Sequence, residues 1–393
     1  MANKDIVALG KSNYMNNYAQ FPIAIKSGKG MYVRDEDGKE YLDFVAGIAV
    51  NVLGYGDEEE KEALMRTMES GVFHTSNLYY NAHAVHAAEL LNKAAGSKQV
   101  FFCNSGAEAN EAALKLARKY GSGKDKHTII SFLHSFHGRT YGAITVTGQE
   151  KYHKGFAPML PGVVYAEYNN LDSVKALMTD EVAGIIVEPL QGEGGIIPAE
   201  KEFLQGLRAL CDEHDAVLIF DEVQCGMGRT GKPFCFQHYG VEPDVMTLAK
   251  ALGGGLPMGA AVAFGKAAGV FAPGDHAATF GGNVLSATLA EVVLSKLDAL
   301  SENAAENGAL LTSELEKLVK KYPDKCTEVR GMGYMQGLDL SIPPRDVISK
   351  CMEKGLLVCS AGYTVLRFVP PLIASKEDVL KAVSIVDEAL SEL

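Results

Sequence analysis

Residues 216–250 read AVLIFDEVQCGMGRTGKPFCFQHYGVEPDVMTLAK, and two apolar runs in this stretch end at a single ionisable residue. The run 216–220 leads directly into Asp221, and the run 245–249 leads into Lys250. Short β-branched runs that end in a polar residue and precede a helical pattern are typical of a wound parallel α/β sheet. The stretch therefore predicts two strands that present an acid and an amine at one edge of a sheet.

The same rhythm recurs upstream and predicts a single sheet between about residues 98 and 265. Its further strands are predicted at 100–103, 128–132 and 184–187. The residues that follow these strands are Asn104, then Ser135 and Phe136, then Glu188. Because ligands bind at the carboxyl ends of strands in open α/β sheets, we expect these residues in the same crevice as Asp221 and Lys250.

The 393-residue length favours two domains, since single cores seldom exceed about 250–300 residues. Residues 31–46 predict a hairpin around Asp37-Gly38, and Ser375 predicts the start of a C-terminal helix. We expect a smaller α+β domain built from both termini. The predicted division is 1–55 for the N-terminal segment of the small domain, 56–285 for the large domain and 286–393 for the rest of the small domain.

Charge and cysteine usage exclude several classes of protein. The net charge of −12 argues against a surface for nucleic acid or anionic lipid, because both need clustered cations. The seven cysteines lack CxxC or His-spaced patterns, which argues against a disulfide framework or a metal site. No signal-peptide pattern and no apolar run of about 20 residues is present, so we expect a cytoplasmic protein without a membrane partner.

Residues 104–111, NSGAEANE, predict a place for an anion. A strand ends here, small residues allow close approach, and a helix begins whose free amides and dipole favour a phosphate. A tight strand-to-helix turn without a ligand explains this segment equally well. The segment is neither a Walker loop nor a GxGxxG fingerprint.

Asp221 and Lys250 suit the two ends of one aromatic cofactor. A carboxylate after five apolar residues needs a cationic partner, and a protonated pyridine nitrogen would serve. The alternatives for Asp221 are a structural salt bridge or a metal-binding acid. Burial lowers the pKa of an amine and makes it a nucleophile toward carbonyls, so Lys250, at a strand end beside three glycines, is the candidate nucleophile; most lysines are merely solvated.

Six segments together resemble the class III, fold-type-I aminotransferases, which depend on pyridoxal 5'-phosphate. They are NSGAEANEAALKLAR (104–118), SFHGRT (135–140), VEPLQGEGG (187–195), IFDEVQCGMGRTG (219–231), LAKALGGGLPMGA (248–260) and TFGGN (279–283). The resemblance covers essentially the whole chain in the same order. It implies a large domain with a mainly parallel seven-stranded sheet flanked by helices, a smaller domain and a homodimer.

The resemblance also assigns roles to individual residues around the cofactor. Lys250 would bind the cofactor as a Schiff base and move the proton, and Asp221 would pair with the pyridine nitrogen. The remaining contacts would come from Gln224 near the phenolic oxygen, Phe136 and Val223 on the two ring faces, Ser105, Gly106 and Ala107 at the phosphate, and Thr279 from the partner subunit. Core packing for the ring residues and a turn hydroxyl for Thr279 are the alternative interpretations.

Two arginines would select substrates by the same resemblance. Arg139 would bind the α-carboxylate of N2-acetylornithine, and Arg367 that of glutamate or 2-oxoglutarate. Glu193 would pair with Arg367 while the acylated amine is bound and would leave when the keto acid binds, because an unpaired buried charge is costly. Tyr18 is a further candidate substrate contact.

Other readings of the sequence remain open at this point. Ornithine, succinylornithine or 4-aminobutyrate would be alternative ω-amine substrates, since the cofactor residues would be the same. A nucleotide-binding or catalytically silent interaction protein could use the same kind of scaffold, because fold does not fix function.

Overall fold

The computed structural model describes residues 1–393, which form 17 strands and 13 α-helices. The strands are β1 (Ile25–Lys29), β2 (Tyr32–Asp35), β3 (Glu40–Asp43), β4 (Gln99–Cys103), β5 (Thr128–Phe132), β6 (Val163–Ala166), β7 (Val182–Val187), β8 (Leu190–Gln191), β9 (Ile197–Pro198), β10 (Val217–Asp221), β11 (Val245–Leu248), β12 (Gly259–Ala263), β13 (Cys326–Met332), β14 (Met335–Leu340), β15 (Leu356–Leu357), β16 (Cys359–Ala361) and β17 (Val365–Phe368). The helices are α1 (Asn3–Asn13), α2 (Ala46–Ala49), α3 (Glu58–Glu69), α4 (Ala82–Ala95), α5 (Gly106–Gly121), α6 (Tyr141–Val146), α7 (Glu150–His153), α8 (Leu171–Lys175), α9 (Lys201–Glu213), α10 (Val284–Ser295), α11 (Leu297–Lys321), α12 (Pro344–Glu353) and α13 (Lys376–Ser391).

The central sheet has seven strands in the order β4-β12-β11-β10-β7-β5-β6. Every neighbouring pair from β11 to β6 is parallel, whereas β12 runs antiparallel to both β11 and β4. Strands β7 and β10 are buried along their whole length, as expected where helices cover both faces of a parallel sheet. The predicted mainly parallel seven-stranded sheet with flanking helices is confirmed.

Strands β10 and β11 place the predicted acid and amine side by side. The two strands pair in parallel, with Asp221 opposite Thr247, and Lys250 follows only three residues beyond Thr247. The chain turns at Lys250, whose backbone φ of +46° lies in the left-handed region that non-glycine residues rarely adopt. Such strain persists only where the surroundings fix it, and it concentrates at functional sites.

Two smaller sheets involve the ends of the chain. One has the order β1-β2-β3-β15, so that the N-terminal hairpin pairs with a strand from the C-terminal region. The other has the order β13-β14-β17-β16 and carries Arg367 on β17. The proposed domain boundaries at residues 55 and 285 stay a prediction.

The five strands of the central sheet whose bounds were predicted lie within about two residues of those bounds. The hairpin around residues 37–38 and the Ser375 cap of α13 lie where they were predicted. Strands β6 and β12 were not singled out; β12 reads GAAVA, and its small residues give little strand signal. No helix combines the length and the apolarity that crossing a bilayer requires.

Candidate active site

A cavity of about 380 Å³ opens at the carboxyl ends of the central strands. Its volume lies within the range of about 300–1,000 Å³ that is typical of small-molecule pockets. Its lining includes eight of the predicted cofactor residues, which are Ser105, Gly106, Ala107, Phe136, Asp221, Val223, Gln224 and Lys250. Residues more than 140 positions apart in sequence therefore meet in one pocket.

Asp221 is buried and held by three hydrogen bonds. His137 Nδ1 and Asn110 Nδ2 each lie 2.7 Å from Oδ2, and the amide of Val223 donates to Oδ1 at 3.0 Å. Asn110 in turn accepts a hydrogen bond from Thr247 Oγ1 at 2.7 Å. A carboxylate has about four acceptor positions, so one position on Oδ1 is left for a donor in the cavity, such as a protonated ring nitrogen.

Lys250 lines the cavity from the neighbouring strand. Burial lowers the pKa of its amine to about 8, while the carboxylates of Glu193 and Asp221 oppose that shift and Arg367 adds to it. A lowered pKa leaves a useful fraction of neutral amine near pH 7, which an attack on a carbonyl requires.

The amino end of α5 forms the opposite wall of the cavity. Ser105 caps the helix by accepting a hydrogen bond from the amide of Glu108, and the first two helical amides, those of Gly106 and Ala107, have no partner within the helix. A Cβ at Gly106 would come within 2.7 Å of Val223 Cγ1, so this close approach requires glycine. Free amides at the amino end of a 16-residue helix suit a phosphate.

Glu188 connects the wall that carries Phe136 with the loop that carries Glu193. Its carboxyl accepts from the amides of Phe136 at 3.1 Å and of Gly192 at 3.3 Å. Burial, followed by the nearby charge of Asp221, raises the pKa of Glu188 well above its usual value. The sequence placed Glu188 at a strand end but gave it no role.

Arg367 and Glu193 form a buried ion pair at the side of the cavity. Arg367 Nη1 lies 2.5 Å from Glu193 Oε1 and 3.0 Å from Gln224 Oε1, and Gln224 Nε2 donates to Glu193 at 3.2 Å. The guanidinium also donates from Nε to Cys359 Sγ at 3.4 Å. Although burial alone would raise the pKa of Glu193, the charges of Arg367 and Lys250 lower it below its usual value.

The glycines around Glu193 are required by packing. A Cβ at Gly192 would lie 2.5 Å from Gln224 Oε1, and one at Gly194 would lie 2.8 Å from the carbonyl oxygen of His134. Gly195 adopts a φ of +117°. The loop can therefore carry Glu193 between Gln224 and Arg367 only with glycine on both sides.

Arg139 differs from Arg367 in its surroundings. Its side chain is exposed, and it forms no ion pair and no hydrogen bond within the chain. Its guanidinium carbon lies 4.1 Å from the ring centre of Tyr152 and 5.5 Å from that of Phe136, which lines the cavity. The arrangement leaves all five N–H donors of Arg139 free for a ligand.

Two predicted residues lie apart from this cavity. Thr279 is exposed on the loop before α10 and lines a second cavity of about 420 Å³, which shares Asn104 with the first. Tyr18 lies in the N-terminal segment with 72% of its surface exposed. The roles proposed for both residues stay predictions.

The sequence reasoning missed three residues that support the site. Asn110 and His137 bind Asp221, and both lie inside segments that were singled out for other residues. Tyr152 lies in the short helix α7, outside any segment that was singled out. Their buried or aromatic contacts depend on strand order, which local patterns do not reveal.

Comparison with known proteins places this site in a known context. The sequence model of the family Aminotransferase class-III matches residues 13–390. An acetylornithine aminotransferase of Methanocaldococcus jannaschii is 45% identical over the full length of both chains. A crystal structure of N-acetylornithine aminotransferase from Stenotrophomonas maltophilia K279a is 36% identical, with a TM-score of 0.84 and 98% of each chain covered. The ornithine aminotransferase of Toxoplasma gondii ME49 is 30% identical, with a TM-score of 0.94 and coverage of 100% of this chain and 96% of that chain.

Proposed function

Because the chain belongs to the class III aminotransferases, we propose that it is an acetylornithine aminotransferase of arginine biosynthesis. It transfers the δ-amino group of N2-acetylornithine to 2-oxoglutarate and yields N-acetylglutamate 5-semialdehyde and glutamate. The observation that carries the proposal is the different state of the two arginines, since Arg367 is paired with Glu193 and Arg139 is unpaired.

The chemistry of the two substrates explains this difference. N2-acetylornithine has no carboxylate on its reacting carbon, whereas 2-oxoglutarate has one there, and both carry a carboxylate at the far end. Arg139 receives the distal carboxylate of either substrate and needs no internal partner. Arg367 receives a carboxylate only from the keto acid or glutamate, and Glu193 neutralises it for the rest of the cycle.

The residues that line the cavity fit pyridoxal 5'-phosphate. Asp221 would hold the pyridine nitrogen with its free acceptor position, and the amides of Gly106 and Ala107 with Ser105 would hold the phosphate. Phe136 and Val223, which both line the cavity, would flank the ring. When bound, the cofactor carries the amino group and accepts the electrons of the substrate carbanion.

Lys250 supplies the covalent attachment and the proton transfer. Its amine, with a pKa lowered by burial to about 8, is a base of suitable strength near neutral pH. With the cofactor and substrate bound, Nζ of Lys250 would move the proton at the amine-bearing δ-carbon. Glu193 and Gln224 bind the Arg367 guanidinium, which would otherwise be unpaired when the substrate brings no carboxylate to its reacting end.

We further propose that the active form is a cytoplasmic homodimer in which Thr279 contributes to the partner's phosphate site. The segment 72–80 and the loop that carries Thr279 share an exposed apolar surface, where Asn77 Nδ2 donates to the carbonyl of Ala278 and His74 packs on Phe280. Contiguous exposed apolar surface of this kind is typical of subunit interfaces. None of the seven cysteines forms a disulfide, in keeping with a reducing compartment.

A single half-reaction tests the substrate. The holoenzyme is mixed with N2-acetylornithine in the absence of any keto acid, and the absorbance of the cofactor is followed in a stopped-flow instrument. We expect rapid loss of the lysine-bound absorbance at micromolar to millimolar amine. If ornithine, N2-succinylornithine or 4-aminobutyrate at equal concentration converts the cofactor faster, that amine is the substrate and N2-acetylornithine is not.

A further inference from the structure

The ring of Tyr152 contacts two cations that have no acidic partner within the chain. The guanidinium carbon of Arg139 is 4.1 Å from the ring centre, and Lys151 Nζ is 4.9 Å from it. Neither cation forms a hydrogen bond or an ion pair within the chain. A cation over an aromatic face is attracted by the ring's electrons, and of the two rings near the Arg139 guanidinium, Tyr152 is closer than Phe136, whose centre is 5.5 Å away.

The same ring also contacts the cavity wall. Tyr152 packs edge-on against Phe136, with ring centres 5.7 Å apart and an angle of 76° between the planes. One tyrosine therefore sets the position of Arg139 relative to a residue that lines the cavity. No hydrogen bond restrains the hydroxyl of Tyr152, so the aromatic face rather than the hydroxyl carries this contact.

We propose that Tyr152 is a positioning residue that holds the Arg139 guanidinium where the distal carboxylate of the substrate binds. The proposal rests on the proposed function, because it assumes that Arg139 binds that carboxylate. An exposed arginine has many rotamers, and fixing one of them on binding costs conformational entropy. Because Tyr152 already excludes some rotamers of Arg139, substrate binding has to overcome less of this entropy cost. Tyr152 thereby favours amines that carry a carboxylate over amines that do not.

Tyr363 offers a matched control. It is 80% exposed in the turn between β16 and β17, and its ring centre lies 4.8 Å from Lys151 Nζ, whereas Arg139 makes its aromatic contacts with Tyr152 and Phe136. Tyr363→Leu removes an aromatic ring from the same group of residues without touching the Arg139 contact. Tyr152→Phe keeps the aromatic face, and Tyr152→Leu removes it.

The experiment measures binding and turnover of the holoenzyme variants. N-acetylnorvaline has the acyl group and the carboxylate but no reactive amine, so calorimetry gives its dissociation constant without catalysis. We expect Tyr152→Leu to weaken its binding roughly two- to fivefold, the size of one lost cation–aromatic contact at an exposed site, and Tyr152→Phe and Tyr363→Leu to stay within about 1.5-fold. For N2-acetylornithine the KM rises by the same factor with little change in kcat, whereas N-acetylputrescine, which lacks the carboxylate, is unaffected.

The outcomes separate this proposal from the proposed function. If the wild-type enzyme neither binds N-acetylnorvaline nor converts N2-acetylornithine, the proposed function fails. If the wild type does both and Tyr152→Leu binds N-acetylnorvaline equally well, only the role of Tyr152 is overturned. The role of Tyr152 would also be overturned if Tyr152→Leu and Tyr152→Phe lost the same affinity for N-acetylnorvaline. An equal rise in the KM for N-acetylputrescine would overturn it as well.

Discussion

Replacing Glu193 with glutamine should shift the preference of the enzyme from the ω-amine toward the α-amino acid. Glutamine keeps the shape of the side chain and an acceptor for Arg367 Nη1, but it removes the negative charge that lies 2.5 Å from that nitrogen. Arg367 then stays buried as an uncompensated cation beside Gln224, which lines the cavity. The α-carboxylate of glutamate then no longer competes with the Glu193 carboxylate for Arg367. When N2-acetylornithine is bound instead, Arg367 has no anionic partner.

The size of the shift follows from the burial of the pair. Two unit charges about 4 Å apart interact by about 4 kcal/mol at an effective dielectric constant of 20. Arg367 is 2% exposed but Glu193 is 26% exposed, so solvent screens part of this energy. Retaining about half gives roughly 2 kcal/mol, or about a 30-fold change in the ratio of the two half-reactions, since 1.4 kcal/mol is tenfold.

Stopped-flow absorbance of the cofactor measures both half-reactions, with glutamate in one syringe series and N2-acetylornithine in the other. The ratio of kcat/KM for glutamate to that for N2-acetylornithine should rise about 30-fold, as the charge energy above requires. Glu202→Gln makes the same chemical change at an exposed position on α9 and should leave the ratio unchanged. A ratio for Glu193→Gln within threefold of the wild type would refute the role of the ion pair.

Three further predictions concern the cofactor site and stability. Below pH 8, covalent capture of pyridoxal 5'-phosphate by the apoenzyme should slow about tenfold for each pH unit. The reason is that only the neutral amine attacks, and burial lowers the pKa of the Lys250 amine to about 8. A capture rate that still rises about tenfold per unit between pH 9 and 10 would contradict this. Asn110→Ala should weaken cofactor binding, measured by equilibrium dialysis, at least tenfold through loss of a charge-assisted hydrogen bond to Asp221, and unchanged affinity would count against that network. Burial, with the charge of Asp57, raises the pKa of Glu60 to about 7. Between the ordinary pKa of a glutamate and pH 7, the native protein therefore binds more protons than the unfolded protein, and the free energy of unfolding falls as the pH rises through that window. In urea, Glu60→Gln should therefore be more stable than the wild type at pH 8 by about 1 kcal/mol, after allowance for solvent screening, and equal to it near pH 4; the same difference at both pH values would exclude this origin.

The parts of the site that sequence predicts are those fixed by local patterns. An apolar run predicts a strand, and the residue after the run must lie at the strand's carboxyl end, so Asp221 and Lys250 could be placed at one edge of the sheet. The same logic placed Ser105 to Ala107 at the start of α5. No knowledge of strand order was needed for these positions, because all parallel strands share that edge.

Partners across the sheet could not be predicted in the same way. Asn110 and Asp221 are 111 residues apart, and their contact depends on α5 crossing the strands near β10 and β11. The sequence indicated that Asp221 needed a partner and suggested the cofactor, whereas the structure adds His137 and Asn110, which both lie against Oδ2 of Asp221. Periodicity reports which face of an element is buried, but it does not identify the residue that lies opposite.

Burial also distinguishes two residues that look alike in the sequence. Arg367 lies on a buried strand, where an unpaired guanidinium would cost several kcal/mol, so it requires an internal carboxylate whenever the substrate brings none. Arg139 is exposed, and water solvates it between turnovers, so an aromatic face that orders it without neutralising it is sufficient. An internal carboxylate at Arg139 would compete with both substrates, whereas one at Arg367 competes only with the keto acid and glutamate. The asymmetry in burial is therefore what allows one cavity to accept an ω-amine and an α-keto acid in turn.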